Sequence, residues 1–344
     1  MRLIFFLFFF SLCLSQSYVP YEVDLDSNPL HRYDHIIREY DDPLQEFLTS
    51  LRSIFSPWEK FAIYYILGPI YHVLELFINQ EFVKELRGIA KALDAPVIEL
   101  LALNIGYEMM ELCTTIVARD LQGNILLARN LDIYYPQHVR RLTVTIKYTK
   151  GGREVLTCSG LAGLVGFLTC VRPGVYGVAL NARELLSWKD TLISALKGWP
   201  TVSWMIRTTL LKAETYDEAL KIFLEKPSIS GSYIIMAGTK PNEGAVITRG
   251  RKNAEDVITL NETAWFLAQA NNDRWLPPDE RTVKANLWMQ ELGQANVSLQ
   301  NIVEKVLMIP PIFREETVAI DLMFPLKGYM FVYRLTLEHH SKGQ

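Results

Sequence analysis

Two neighbouring segments carry the side chains of a thiol nucleophile. Cys113 opens the run Cys113-Thr-Thr-Ile-Val-Ala-Arg-Asp120, and Arg129-Asn-Leu-Asp132 closes the apolar run that follows. A thiol reacts as its thiolate, which a nearby guanidinium stabilises, and a carboxylate can orient the group that moves the proton. If Cys113 begins one strand and Arg129 ends the next, a hairpin turning at Gln122-Gly-Asn124 gathers all three groups at one end of a sheet. On the residues alone, a surface Arg/Asp pair beside an ordinary strand cysteine explains the same pattern. Other chemistries find no motif: there is no G-x-S-x-G elbow, G-x-G-x-x-G loop, Walker sequence or C-x-x-C pair. The six histidines form no H-E-x-x-H, and His31 and His35, at i and i+4, lie in a polar segment that suits a solvated pair better than a metal site. Neither a metal nor a dinucleotide cofactor is expected.

The elements that must position these groups change character at Leu112 and Cys113. From Asp41 to Met110 the apolar spacing is helical: Pro43 to about Ile54, Trp58 to Ile78 with a Gly68-Pro69 break, Glu81 to Leu93 and Pro96 to Met110. From Cys113 onward, β-branched and aromatic runs alternate with turn residues: 113–118, 124–128, 142–148, 155–158, 164–171 and 175–180. These six strands read as an antiparallel meander. Helical spacing returns at 188–196, 202–211 and 216–224, then strands at 233–237, 244–248 and 264–269, helices at 280–292 and 299–307, and strands at 317–322 and 329–335. Such blocks predict an α+β fold of two stacked antiparallel sheets with helices on their outer faces.

The 344 residues suffice for one large domain or two ordinary ones, and an apolar share of 49% fills a real core. A net charge of −3, from 35 basic and 38 acidic residues spread evenly, gives no electropositive face for nucleic acid. Arg2, the Phe-rich run Leu3 to Leu14 and the small exit residues Ser15 and Ser17 describe a signal peptide over 1–15, too short to span a bilayer. The sequons at Asn261 and Asn296 then read as glycan acceptors on the secretory or lysosomal route. Of the four cysteines, Cys13 leaves with the leader. Cys158 and Cys170 lie in adjacent strand-like runs, either cross-linked or reduced in the core, and Cys113 is left over. The stretch Trp58 to Ile78 is too apolar for an ordinary surface helix. It is either a buried core helix or one that touches a membrane or lines an acyl channel.

Cys113-Thr-Thr-Ile-Val-Ala and Arg129-Asn-Leu-Asp132 resemble the nucleophile region of the acid ceramidase and N-acylethanolamine-hydrolysing acid amidase family, lysosomal N-terminal-nucleophile hydrolases related to bile-salt hydrolases. The likeness extends through Glu85-Leu-Arg-Gly88, Ala102-Leu-Asn-Ile-Gly-Tyr-Glu108, Val202-Ser-Trp-Met-Ile-Arg207, Gly244-Ala-Val-Ile-Thr-Arg249, Asn271-Asn-Asp-Arg-Trp275 and Gly293-Gln-Ala-Asn-Val-Ser-Leu299, nearly the whole mature chain. It implies an αββα sandwich with a helical N-terminal α-subunit, no cofactor, and a lipid amide substrate. N-acylethanolamines are favoured over ceramide, and an inactive lipid-binding relative is the reading from a different class. By resemblance, Cys113 matches the nucleophile, Arg129 and Asp132 its activating neighbours, Asn271 an oxyanion residue, Asn181 a second oxyanion or substrate-side group, and Arg281 an active-site arginine. Asn272 stands where the family has tyrosine, and Ala182 where it has an acid.

The resemblance also implies why a nucleophile sits at a helix-to-strand boundary. Cys113 attacks the Leu112 carbonyl and the thioester hydrolyses. The products are an α-chain, 16–112, and a catalytic β-chain, 113–344, which stay together as a heterodimer. The freed α-amine then replaces a catalytic histidine. Such an amine, which can take the thiol proton, titrates near pH 7.7–8.0; in an acidic lysosome an ammonium–thiolate pair is the alternative that works.

Overall fold

The β-branched runs beyond Leu112 become strands, but they serve two sheets. The computed structural model describes residues 19–335, apart from 55, 62, 63, 66, 67, 70, 72–74, 77, 110, 111 and 184–186. The leader 1–15 and several apolar positions of the 58–78 stretch lie outside the described residues. The strands are β1 (Tyr21–Asp24), β2 (Thr114–Arg119), β3 (Ile125–Asp132), β4 (Thr143–Lys150), β5 (Arg153–Leu161), β6 (Thr169–Arg172) and β7 (Tyr176–Ala182). They continue with β8 (Ser232–Ala237), β9 (Gly244–Arg249), β10 (Ala254–Thr259), β11 (Phe266–Gln269), β12 (Thr317–Phe324) and β13 (Tyr329–Arg334). One sheet has the order β1-β4-β5-β6-β7-β8-β9-β10, the other β11-β2-β3-β12-β13.

The expected six-strand meander is therefore corrected. β2 and β3 belong to the five-stranded sheet and β4 to β7 to the eight-stranded one. The chain crosses between the sheets through the short helix Pro136–Val139 and the turn Arg140–Leu142. Tyr135, at φ +60°, starts that crossing. The sheets are antiparallel except that β1 runs parallel to β4, pairing Tyr21 with Ile146.

The pleat sorts each strand of the five-stranded sheet between two cores. Val117, Leu127 and Met323 face the other sheet and meet Val171, Ala179 and Ile235. Ile116, Ala128 and Ile320 face helix Glu280–Leu292 and the helical turns at 299–307, against Ala285, Met289 and Ile302. Buried on both faces, such strands read as unbroken apolar runs. The outer face of the eight-stranded sheet packs Tyr148, Leu156 and Ile234 against Met205 and Phe223, and against Ile36, Phe47 and Leu86 from the N-terminal helices. The layers are thus helix, sheet, sheet, helix. Cys158 and Cys170, paired in register on β5 and β6, are joined by a disulfide.

A buried ion cluster ties the helical N-terminal segment to the rest. Arg207 forks onto Glu85, with Nη2 at 2.7 Å from Oε1, and donates to Val165 O at 3.0 Å and Tyr33 Oη at 3.2 Å. Its guanidinium lies 4.6 Å from the Trp204 ring. Arg32 meets the same carboxylate and also Glu81 Oε1 at 2.7 Å. Removing one partner of a buried pair strands the other charge, which costs about 3–5 kcal/mol. Glu85→Ala, which leaves the buried Arg207 and Arg32 only the partly exposed carboxylate of Glu81, is therefore expected to lower the melting temperature sharply. An unchanged melt would show that the cluster is not holding the segments together.

Candidate active site

The β2–β3 hairpin closes because Asp120 Oδ1 accepts from Gln122 N at 2.9 Å and Asn124 N at 2.8 Å, while Gly123 takes φ +85°. Thr115 then stands opposite Arg129 and Thr114 opposite Asn130, and Leu112 N donating to Asp132 O at 2.8 Å extends the ladder. Cys113 thus lies one residue ahead of β2, fully buried and in reach of Arg129.

Arg129, also without solvent exposure, places Nη2 at 3.0 Å from Cys113 Sγ and donates to Leu180 O on β7. Its Nη1 donates to Thr169 Oγ1 at 2.6 Å and lies 3.6 Å from Asp321 Oδ2. Asp321 is the register partner of Arg129 on β12. Burial pushes its carboxyl up and the guanidinium pulls it down, leaving it above the ordinary range. A guanidinium so placed favours the thiolate.

Asp132 is three residues beyond Arg129, so it projects from the opposite face of the sheet. Its Oδ1 accepts from Thr317 Oγ1 at 2.7 Å, and its Oδ2 lies 3.9 Å from Arg281 Nη1. Burial raises its pKa to about 7, against the opposing pull of the Thr317 hydrogen bond and of Arg281, Arg314 and Arg129. Arg281, in the first turn of helix Glu280–Leu292, donates through Nη1 to the carbonyls of both Leu112 and Cys113, the latter at 3.2 Å. Its Nη2 donates to Asn271 Oδ1 at 3.1 Å and Asp279 Oδ2 at 2.9 Å. The peptide between Leu112 and Cys113 is thereby held between a thiol paired with one arginine and a carbonyl held by another.

Asn271 donates through Nδ2 to Ala182 O at 2.8 Å. Its loop is clamped by Arg183, which forks onto Asp273 at 2.6 and 2.7 Å while Tyr233 Oη donates to the same carboxylate at 2.7 Å. Asn181 is placed otherwise than an oxyanion donor. Its Nδ2 hydrogens go to Gln269 O at 2.9 Å and Ala270 O at 3.2 Å, and its Oδ1 accepts from Thr115 Oγ1 at 2.7 Å. With both donors used, Asn181 fastens β7 to β2 and to the end of β11, and so positions the loop that carries Asn271.

Asp321, Thr169 and Thr317 belong to the site without having been singled out in the sequence. The signal for Asp321 was a carboxylate inside the apolar run Thr317-Val-Ala-Ile-Asp-Leu-Met-Phe324. Among the described residues no group of three or more His, Cys, Asp or Glu side chains could hold a metal ion. The glycan candidates Asn261 and Asn296 are both at the surface; Asn296 Nδ2 donates to Leu292 O at 2.8 Å.

Known proteins resemble this chain over most of its length. The sequence family described as the beta subunit of N-acylethanolamine-hydrolyzing acid amidase matches residues 20–66. An N-acylethanolamine-hydrolyzing acid amidase of Rattus norvegicus is 32% identical over 309 residues, covering 88% of this chain and 84% of the relative. An acid ceramidase of Homo sapiens is 28% identical over 346 residues, covering 91% and 85%. Among solved structures, the Caenorhabditis elegans N-acylethanolamine-hydrolyzing acid amidase ortholog superposes with a TM-score of 0.57 at 35% identity, covering 62% of this chain and 93% of that one.

Proposed function

We propose, from the premise that this chain belongs to the family of N-acylethanolamine-hydrolyzing acid amidases and acid ceramidases, that it hydrolyses N-acylethanolamines to fatty acid and ethanolamine after cutting its own Leu112–Cys113 bond. The observation that carries this reading is the pair of arginines at one peptide: Arg129 on Cys113 Sγ and Arg281 on the carbonyl of Leu112. Sγ attacks that carbonyl, the C–N bond to Cys113 breaks, and the thiol proton ends on the departing amine. Arg281 meets the oxyanion that develops on Leu112 O. Water then splits the thioester into the Leu112 carboxylate and the Cys113 thiol, beside the amine that the first step released.

In the processed enzyme the same thiolate attacks the substrate amide. Arg129 stabilises the sulfur, Asp132 holds the new ammonium, and Asn271 with Arg281 receives the oxyanion. The ammonium protonates the leaving ethanolamine, and water releases the fatty acid. The α- and β-chains remain one heterodimer. The apolar exposed side chains of the N-terminal segment, Trp58, Phe61 and Tyr65, stack in a row that would touch a membrane or micelle presenting the lipid. Among the described residues no helix is long and apolar enough to cross a membrane. The N-terminal leader and surface sequons direct the reading to the lysosome, with secretion as the other end of the same route.

Ceramide is the second reading, supported by the human relative's name and by the segment Asn271-Asn-Asp-Arg-Trp275, which leans toward ceramidase. The processed protein is expected to release fatty acid from palmitoylethanolamide faster than from a C16 ceramide at pH 5, and Cys113→Ala to release none. Turnover of ceramide alone would move the assignment to ceramidase. Turnover of neither at pH 5 or 7 would make the chain a lipid-binding relative.

A further inference from the structure

A cavity of about 490 Å³ lies away from the reacting groups, between the N-terminal helices and the helices that follow β7. Tyr71, Phe82, Ile98 and Leu101 wall it on one side, and Trp199 and Trp204 on the other. None of Cys113, Arg129, Asp132, Asn271 or Arg281 lines it. Asn79 and three threonines interrupt the apolar lining, but its charged residues matter most. Lys212 and Lys226 both border it, no carboxylate does, and neither lysine has an ion-pair partner among the described residues.

Two ammonium groups at one apolar cavity, with no anion between them, are an unfavourable arrangement for the empty protein. Burial first, and then the charge of Lys212, hold the Lys226 pKa below the ordinary lysine value. Behind Lys226, the buried Arg249 donates to its backbone carbonyl and meets no carboxylate among the described residues; burial lowers its pKa to about 10. This end of the cavity therefore carries unneutralised positive charge, while the walls offer carbon.

We propose that this cavity is a second lipid site which takes a long-chain fatty acid, its tail among the apolar walls and its carboxylate bridging Lys212 and Lys226. A carboxylate placed there reverses the like-charge repulsion through charge-assisted hydrogen bonds, and the tail is removed from water. Because the walls come from both sides of Leu112, the occupant touches both chains of the processed protein and so favours their association. The choice of fatty acid over other single-tailed anions rests on the amidase reading, in which that molecule is the product; the site itself does not.

The test uses the full chain carrying Cys113→Ala, which cannot turn over, and radiolabelled palmitate in equilibrium dialysis. Saturable binding is expected, weakened at least tenfold by Lys212→Glu, by Lys212→Ala with Lys226→Ala, and by Ala102→Trp, which fills the cavity while leaving both lysines. Hexadecanol, with the same tail and no charge, is expected to bind at least tenfold more weakly than palmitate and to ignore Lys212→Glu. Lys212 is exposed, so Lys212→Glu reports on the site even if the double variant is poorly folded. Palmitate binding indifferent to Lys212→Glu, hexadecanol binding as tightly as palmitate, or lysine-dependent binding of phosphatidylglycerol vesicles without saturable palmitate binding would each overturn the proposal. Failure of the amidase reading appears separately, as no fatty acid released by the unmodified protein.

Discussion

Arg281→Ala is expected to leave the chain as one species of 344 residues, less any leader, on a denaturing gel, as Cys113→Ala does, while the unmodified protein separates into two. The reason is local. Arg281 is the group that touches the carbonyl oxygen of the bond to be cut, and it holds the next carbonyl at 3.2 Å as well. Loss of one oxyanion donor typically slows acyl transfer by about 100- to 1000-fold. Here the donor is a buried guanidinium, so the upper end of that range is expected. Arg281→Lys should recover little, because a point charge cannot fork between Leu112 O, Asn271 and Asp279. The helix itself should survive, since Asp279 caps it through Thr282 N at 2.9 Å. Processing of Arg281→Ala at the normal rate, in a protein that melts normally, would remove Arg281 from the mechanism. Asn181→Ala offers a contrast: with its amide already bonded to three neighbours, it should lower stability more than it lowers the rate of the cut in molecules that fold.

What the sequence made legible was local. Gln122-Gly-Asn124 announces the hairpin, and the change of period at Leu112 marks the boundary where Cys113 sits. The helix at 280–292 was readable from its own spacing and lies at those residues. What stayed hidden depends on partners distant in the chain. Nothing in Tyr21–Asp24 says that it will pair in parallel with β4, because four residues carry too little pattern to specify a register. The strands 113–180 read as one meander because a turn and a crossing between sheets use the same residue types. Asp321 reaches Arg129 only through the β3–β12 register, a relation that spacing along the chain cannot express. Alternation on a strand does foretell that Arg129 and Asp132 leave opposite faces. The three groups therefore meet at one end of the sheet from two sides rather than as one cluster.

Asp132 makes the second large prediction, because its buried carboxyl couples folding to acidity. Its pKa is about 7 in the fold, against an ordinary 3.8, with burial as the main cause. Between about pH 4 and pH 7 the folded chain therefore holds a proton that the unfolded chain has released. The folded state binds more protons, so stability falls as pH rises through that window, by about 1.4 kcal/mol per unit and on the order of 4 kcal/mol in all. Asp132→Asn keeps the shape and can still accept from Thr317, but it does not titrate. In a Cys113→Ala background, where the backbone stays uncut, the parent should lose stability from pH 4 to pH 7.5 and the Asp132→Asn form should lose less by that amount. Both carry Asp321, so the difference isolates Asp132. Equal slopes in denaturant melts at several pH values would refute the linkage. A fold that is more stable while Asp132 keeps its proton suits the acidic compartment to which its leader is proposed to send it, because there the stabilising protonation is complete.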